Sequence, residues 1–387
     1  MNSTYKKIEN LCLKSKKASL KLSNTSNHDR NKALILISKA ITKNMKKILE
    51  ANRIDLLTAE KNNLATNLID RMALDENRVR GLSKDIENIS KLNDPLGKKL
   101  RENIRPNGLK ISKVSVPLGV IAVVFESRPN VASDVAGLCI KSGNSVILKG
   151  GKEARKSTET IIDIIQGELE KTNILPVAVS SIKDYSREAV NFLFKMDKHI
   201  DVLIPRGGKN LISQVRKKSN IPVFSHLDGI CHTYIDKYAT KKMAISLALN
   251  AKMRRTSICG ATETILCHQE VADSILPELI DLLSLQGCQI RGDRIVKKYN
   301  KIVINAKEID WATEYLDAIV SIKVVENIDT AIKHINYYSS KHTDAIVTGS
   351  KKMADIFLKN IESAIVMHNT STQFADGAEF GLGAEVG

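Results

Sequence analysis

Apolar residues follow two different patterns along this chain. Over the first hundred positions they recur at helical spacing. Ile37, Ala40, Ile41, Met45, Ile48 and Leu49 form one stripe, and Val79, Leu82, Ile86 and Ile89 form another, which predicts amphipathic helices. Asp94-Pro95-Leu96-Gly97 interrupts the pattern. From Leu109 to Val116 apolar residues (Leu109, Ile111, Val114, Val116) alternate with polar ones, which predicts a strand or hairpin arm exposed on one face. Beyond Val116 short apolar runs alternate with helix-like stretches. Val120–Phe125, Ser145–Leu148, Ala178–Ile182 and Val202–Ile204 make a first series. His232–Ile235, Thr264–Cys267, Ile302–Ile304, Ala318–Val325, Asp344–Val347 and Ala364–Met367 make a second. Such runs predict buried parallel strands joined by crossover helices, in two α/β units that meet between Pro222 and Gly229.

Length and charge narrow the function classes. The 387 residues fit two or three domains. Fifty-nine Lys and Arg against 43 Asp and Glu give a net charge of +16, which suits an anionic ligand or nucleic acid. The lysines are scattered in pairs such as Lys46–Lys47 and Lys351–Lys352, and aromatics are only 4%. Base-stacking platforms, and with them a nucleic-acid partner, are not expected. Cys12, Cys139, Cys231, Cys259, Cys267 and Cys288 are widely spaced, with no C-x-x-C pair. They read as reduced thiols with no metal site. No apolar run approaches membrane-spanning length, and the amino terminus lacks the apolar core of a signal peptide. The expected location is the cytoplasm.

Four segments carry candidate chemistry. A buried strand runs into Glu126-Ser-Arg-Pro-Asn130, where Asn130 is either an amide donor at a strand end or a helix N-cap. Lys149-Gly-Gly-Lys152 and Arg206-Gly-Gly-Lys209 are glycine turns between strand and helix. Such turns either cradle phosphate on outward-facing amides or serve as ordinary connections. In Lys252-Met-Arg-Arg-Thr-Ser-Ile-Cys259 the thiol follows three cations that favour thiolate, or is a surface cysteine beside stray basic residues.

In combination these segments resemble the aldehyde dehydrogenase superfamily, and within it the γ-glutamyl phosphate reductases. The matching stretches are PLGVIAVVFESRPNV at 117–131, LCIKSGNSVILKGGKEA at 138–154, DVLIPRGGKNLI at 201–212, HLDGICHTYID at 226–236, NAKMRRTSICGATETIL at 250–266 and FADGAEFGLGAEVG at 374–387. The resemblance implies an α/β, aldehyde-dehydrogenase-like fold. A Rossmann-type cofactor domain would span 1–102 and 117–226, and a small oligomerisation hairpin 103–116. A catalytic domain bearing Cys259 would span 227–368, and a substrate-side loop 369–387. It also implies NADPH-dependent reduction of L-glutamyl 5-phosphate to the semialdehyde, in proline biosynthesis. Cys259 would be the nucleophile, and Asn130 with the Cys259 amide would hold the oxyanion. Lys149, Gly150, Gly151, Lys152, Arg206, Gly207, Gly208 and Glu314 would bind NADP, with Lys149 and Glu314 on its two riboses and Lys152 on its 2′-phosphate. Arg128, Arg254, Arg255 and Phe380 would bind substrate. Glutamate kinase and further copies of the chain are the partners it admits.

Three departures from the family stand out. Hydrolysing relatives carry a glutamate base where this chain has His226-Leu227-Asp228-Gly229, which favours phosphate over water as the acyl partner; a hydrolysing enzyme using His226 is the rival. The family's Gln-Arg-Pro is Arg254-Arg255-Thr256 here, and its Ser-Thr-Arg is Ser371-Thr372-Gln373. Family members continue past the position of Gly387 with a strand used in subunit pairing. An unpaired hairpin edge is therefore expected, and a truncated, inactive, partner-binding subunit is the non-enzyme reading.

Overall fold

The computed structural model describes residues 3–225, 227–377 and 379–381. His226 and the glycine-rich end from residue 382, on which readings above fell, lie outside the described residues. The chain divides into two units after Ser225.

The first unit opens with α1 (Ser3–Leu22), α2 (Asn27–Lys43), α3 (Met45–Lys61), α4 (Thr66–Met72) and α5 (Glu76–Lys91). The stripe from Ile37 to Leu49 is shared by two helices, because Asn44 ends α2 and precedes α3. Ser26 caps α2 and Asp75 caps α5, each accepting a backbone N–H from the first turn. A hairpin follows, β1 (Lys99–Ile104) antiparallel to β2 (Lys110–Val114). It begins four residues before the expected boundary at 103. The alternation from Leu109 leads one to expect a covered face, yet every residue of both strands is exposed.

The parallel part of this unit runs β3 (Val120–Phe125), α6 (Asn130–Lys141), β4 (Ser145–Lys149), α7 (Arg155–Leu169), β5 (Val179–Ser181), α8 (Arg187–Leu193), β6 (Val202–Arg206) and α9 (Lys209–Lys218). The sheet order is β5-β4-β3-β6, parallel throughout. Every residue of β3 is buried, since helices cover both faces. Ile121, Val123 and Phe125 pack with Ile37, Ile86, Val135 and Ile161, while Val120, Ala122 and Val124 pack with Ile8, Leu193 and Val215. The chain leaves β3 for β4 on one side and reaches β6 on the other. The carboxyl end of β3 is therefore a topological switch point, where open parallel sheets bind ligands.

The second unit runs β7 (Cys231–Ile235), α10 (Lys241–Met253), β8 (Thr262–His268), α11 (Gln269–Leu285), β9 (Gln289–Gly292), β10 (Ile304–Asn305), β11 (Ile319–Val325), α12 (Ile328–Tyr338), β12 (Thr343–Val347), α13 (Lys351–Asn360) and β13 (Ile365–His368). Its sheet order is β10-β9-β11-β8-β7-β12-β13, again parallel. Helices α10 and α11 cover one face through Ala248, Leu276 and Leu279 against Ile235, Ile265 and Ile322. Helices α12 and α13 cover the other through Ala331 and Phe357 against Tyr234, Leu266 and Ile346. The apolar pattern did not announce β9, which is short and polar. The run at Ile302–Ile304 yields only the exposed edge strand β10. No described helix is long and apolar enough to cross a membrane.

Candidate active site

In the first unit the predicted residues gather at the carboxyl edge of the sheet. Strands β4, β3 and β6 end side by side at Lys149, Phe125 and Arg206. Asn130 is the first residue of α6, and Pro129 takes the cap position, so the capping alternative for Asn130 does not hold. Its amide instead donates to Asp134 Oδ2 at 3.0 Å. Burial lifts the Asp134 carboxyl to about 6, against the bonds from Asn130 and Ser133. Arg128 lies just ahead of this helix. Burial pulls its guanidinium below the ordinary value, and Arg206 and Arg71 push in the same direction. That clustering of cations favours an anion at this edge.

The helix start after the first glycine turn, and the second turn itself, are less open than expected. Asp55 on α3 accepts from the Lys156 and Ser157 amides, at 3.1 and 2.8 Å, and so caps the start of α7 from a distance. The Glu126 carboxylate accepts from the Gly208 amide at 2.8 Å, ahead of α9. Carboxylates of this chain thus hold amides that the sequence left for phosphate. Lys149 is better placed for a ligand. It is 4% exposed, its ammonium donates to the Gly150 carbonyl at 3.0 Å, and it stands 4.5 Å from the centre of the Tyr185 ring. Burial lowers it, while Asp184 and Glu153 oppose. One carbonyl and one ring face leave further N–H donors, which fit the hydroxyls of a nucleotide ribose. Lys152 is exposed beside it.

In the second unit the residues gather at the opposite kind of edge. Gly229, Cys259 and Glu314 each lie a few residues ahead of β7, β8 and β11, so they meet at the amino-terminal side of three neighbouring parallel strands. The Gly229 amide donates to Glu314 Oε1 at 2.8 Å. The Cys231 thiol donates to the Cys259 carbonyl at 3.1 Å. A methyl on Gly260 would stand 3.2 Å from the Thr372 carbonyl, and Thr372 bonds Thr262 at 2.9 Å. Of the six cysteines only Cys259 is not buried. Burial pushes Cys12, Cys139 and Cys267 up to about 12.

The cations expected around this thiol separate into two kinds. Lys252 has no exposed side-chain surface and is bound by Glu263 at 2.5 Å. It is paired inside the unit, where burial lifts the Glu263 carboxyl to about 7 against the pull of Lys252. Arg254 and Arg255 are exposed, and Arg254 reaches Glu379 at 3.5 Å. Gln373, where the family has arginine, is 4% exposed and donates to the Ala251 carbonyl at 2.8 Å, so it braces α10. Phe380 is 43% exposed and stands 6.5 Å from Phe374, ring centre to ring centre. Glu126, Cys231 and Glu263 do not stand out in the sequence because their partners Gly208, Cys259 and Lys252 are remote in the chain, and Asp134 because its bond to Asn130 one helical turn earlier shows only in the folded helix. Among the described residues no group of three or more His, Cys, Asp or Glu is placed to hold a metal ion.

The aldehyde dehydrogenase family model matches residues 1–286. The γ-glutamyl phosphate reductase of Paramagnetospirillum magneticum is 45% identical over 97% of this chain and 88% of its own length. That of Brucella suis is 47% identical over 97% of this chain and 89% of its own. The crystal structure of the γ-glutamyl phosphate reductase of Thermotoga maritima matches with a TM-score of 0.95 at 37% identity, covering 98% of this chain and 92% of that one. The α/β fold with two parallel sheets is thus aldehyde-dehydrogenase-like, and the chain belongs to the aldehyde dehydrogenase family and, within it, to the γ-glutamyl phosphate reductases.

Proposed function

We propose that this enzyme reduces L-glutamyl 5-phosphate to L-glutamate 5-semialdehyde and phosphate, in proline biosynthesis, through a thioester on Cys259. The observation that carries this reading is the Cys259 turn. It presents the one cysteine that is not buried, on a backbone held by Gly229 and Cys231. The Cys259 thiolate attacks the acyl carbon, the bond to phosphate breaks, and phosphate departs with its electron pair. The oxygen that gains charge is assigned to Asn130, whose amide keeps a second N–H beyond the one given to Asp134. One such donor is worth about 3–4 kcal/mol of barrier. A reduced nicotinamide cofactor, when bound, supplies hydride to the thioester carbon. Cys259 then leaves as thiolate as the aldehyde carbonyl re-forms.

The first unit is assigned to the cofactor, with Lys149 on one ribose and the 150–152 and 206–208 turns alongside. The second unit is assigned to the thiol and Glu314. Lys152, exposed past the glycine pair, is assigned to a 2′-phosphate, which makes NADP the cofactor. Arg128, Arg254, Arg255 and Phe380 are assigned to the substrate and its phosphate. The hairpin, with Leu100, Ile104 and Ile111 all at least half exposed, is assigned to contact between copies. Glutamate kinase, whose product is this substrate, is the proposed partner, and the cytoplasm the proposed location.

A steady-state assay with glutamate semialdehyde, phosphate and each nicotinamide cofactor tests the reading. Phosphate-dependent reduction of NADP is expected, and Cys259→Ser should abolish it. Undiminished activity in that variant would sink the mechanism, and turnover without phosphate or arsenate would mark a hydrolysing enzyme. Equal affinity for NAD and NADP, unchanged by Lys152→Ala, would remove Lys152 from the cofactor site.

A further inference from the structure

Lys252 closes the last turn of α10 and Glu263 is the second residue of β8. Both side chains are fully buried, with Nζ and Oε2 2.5 Å apart. The other oxygen, Oε1, accepts from the Leu316 amide at 3.3 Å. Leu316 has φ +52°, in the left-handed region that side chains bearing a Cβ rarely adopt. Something must hold the backbone there. Two residues earlier, Glu314 accepts from Gly229, which abuts the Cys259 backbone. Between them Tyr315 is fastened by its hydroxyl to Asp310 Oδ1 at 3.1 Å and Ser321 at 2.8 Å, and Lys252 Nζ lies 5.9 Å from its ring centre. A closed circuit therefore runs from the Cys259 turn through Gly229, Glu314, Leu316 and Glu263 back along β8.

Stability alone does not explain a charge pair in this place. An apolar pair of similar volume commonly folds as well or better than a buried ion pair. An apolar pair cannot, however, accept the Leu316 amide. We propose that Lys252 and Glu263 are positioning residues: the Glu263 carboxylate, fixed by Lys252, holds the 314–316 turn in its left-handed bend and so aims Glu314. Their effect on turnover rests on the reading of Glu314 as a cofactor ligand.

Two double variants of the full chain separate positioning from packing. Lys252→Met/Glu263→Leu removes both the charges and the acceptor. Lys252→Met/Glu263→Gln removes the charges and keeps a carbonyl for Leu316. In the first, hydrogen exchange over residues 313–318 and the KM for the nicotinamide cofactor should each rise about tenfold, the equivalent of one lost hydrogen bond. Alkylation of Cys259 should keep its rate. The second should restore both values toward wild type at similar thermal stability. Glu314→Gln provides the reference for the cofactor KM. Unchanged exchange over 313–318 in the Leu variant overturns the proposal, as does an equal KM in the two double variants. If Glu314→Gln leaves the cofactor KM untouched, the reading of Glu314 fails. Faster exchange in the Leu variant, reversed in the Gln variant, then still supports the hold on the turn.

Discussion

Gly229 stands so close to Cys259 that a Cβ on it would lie 2.6 Å from the Cys259 Cα. The backbone at Gly229 does not take a positive φ, so glycine is required here for space. Gly229→Ala must push the Cys259 turn aside. Overpacking of this kind costs about 1–3 kcal/mol, and a misplacement near one ångström costs about a hundredfold in rate. The expected outcome is a folded chain with activity down by at least that factor, checked by thermal unfolding alongside turnover. Wild-type turnover would show that the turn has slack.

Thiol accessibility yields a second expectation. Five of the six cysteines are buried, and burial raises Cys288 to about 11 and Cys231 well above the ordinary thiol value. Under native conditions iodoacetamide should modify Cys259 alone, with activity lost in step, and all six only after denaturation. Peptide mapping of briefly labelled protein decides it. Early modification at Cys231 or Cys288 would contradict the burial described.

The carboxyl group of Asp134 bears on pH. Burial raises it from 3.8 to about 6, so the folded state binds this proton more tightly than the unfolded state. The group therefore costs stability as pH rises from near 4 to near 6, and the full cost persists above that. Asp134→Asn should lessen that loss, by roughly 2–3 kcal/mol at neutral pH relative to wild type. Parallel denaturant titrations at pH 4.5 and 7.5 measure it. A difference between the two proteins that is the same at both pH values would rule it out.

Asp55 carries a structural prediction. It accepts from the Lys156 and Ser157 amides and from the Ser157 hydroxyl at 2.7 Å. Asp55→Ala leaves the first amides of α7 unsatisfied inside the unit, at about 2–3 kcal/mol. Because α7 follows the Lys149–Gly151 turn, the cofactor KM should rise as well. Chemical denaturation and KM measured on the same preparation test both parts.

A fifth expectation concerns Arg30, which is 2% exposed. It donates to the Lys141 carbonyl at 2.6 Å and to both Asp94 oxygens at 2.9 Å, tying α2 to the end of α6 and to the turn that ends the helical segment. Arg30→Met strands a buried carbonyl, while the partly exposed Asp94 can turn to water, so the cost should be about 1–3 kcal/mol, read from the denaturation midpoint.

The local layer of this protein is legible in its residue pattern alone. Period 3.6 from Ile37 to Ile89 and short apolar runs from Val120 onward specify helices and buried parallel strands, because helix and strand faces repeat every few residues. The motif order from Pro117 to the glycine-rich end pointed to the family, and Cys259 stood out as a thiol on a polar turn. Elements without periodicity stayed hidden. Strand β9 has only Ile290 and Gly292 buried, and the hairpin alternates without covering either face. Which charges pair, and with what, depends on neighbours brought together by folding. Lys252 looked like a cation beside the thiol, yet it pairs inside the unit with Glu263, eleven residues away, and Glu126 and Asp55 hold amides at one glycine turn and one helix start that read as open. Those pairings depend on which strands and helices become neighbours, and Gly229, Cys259 and Glu314 meet only because β7, β8 and β11 lie side by side.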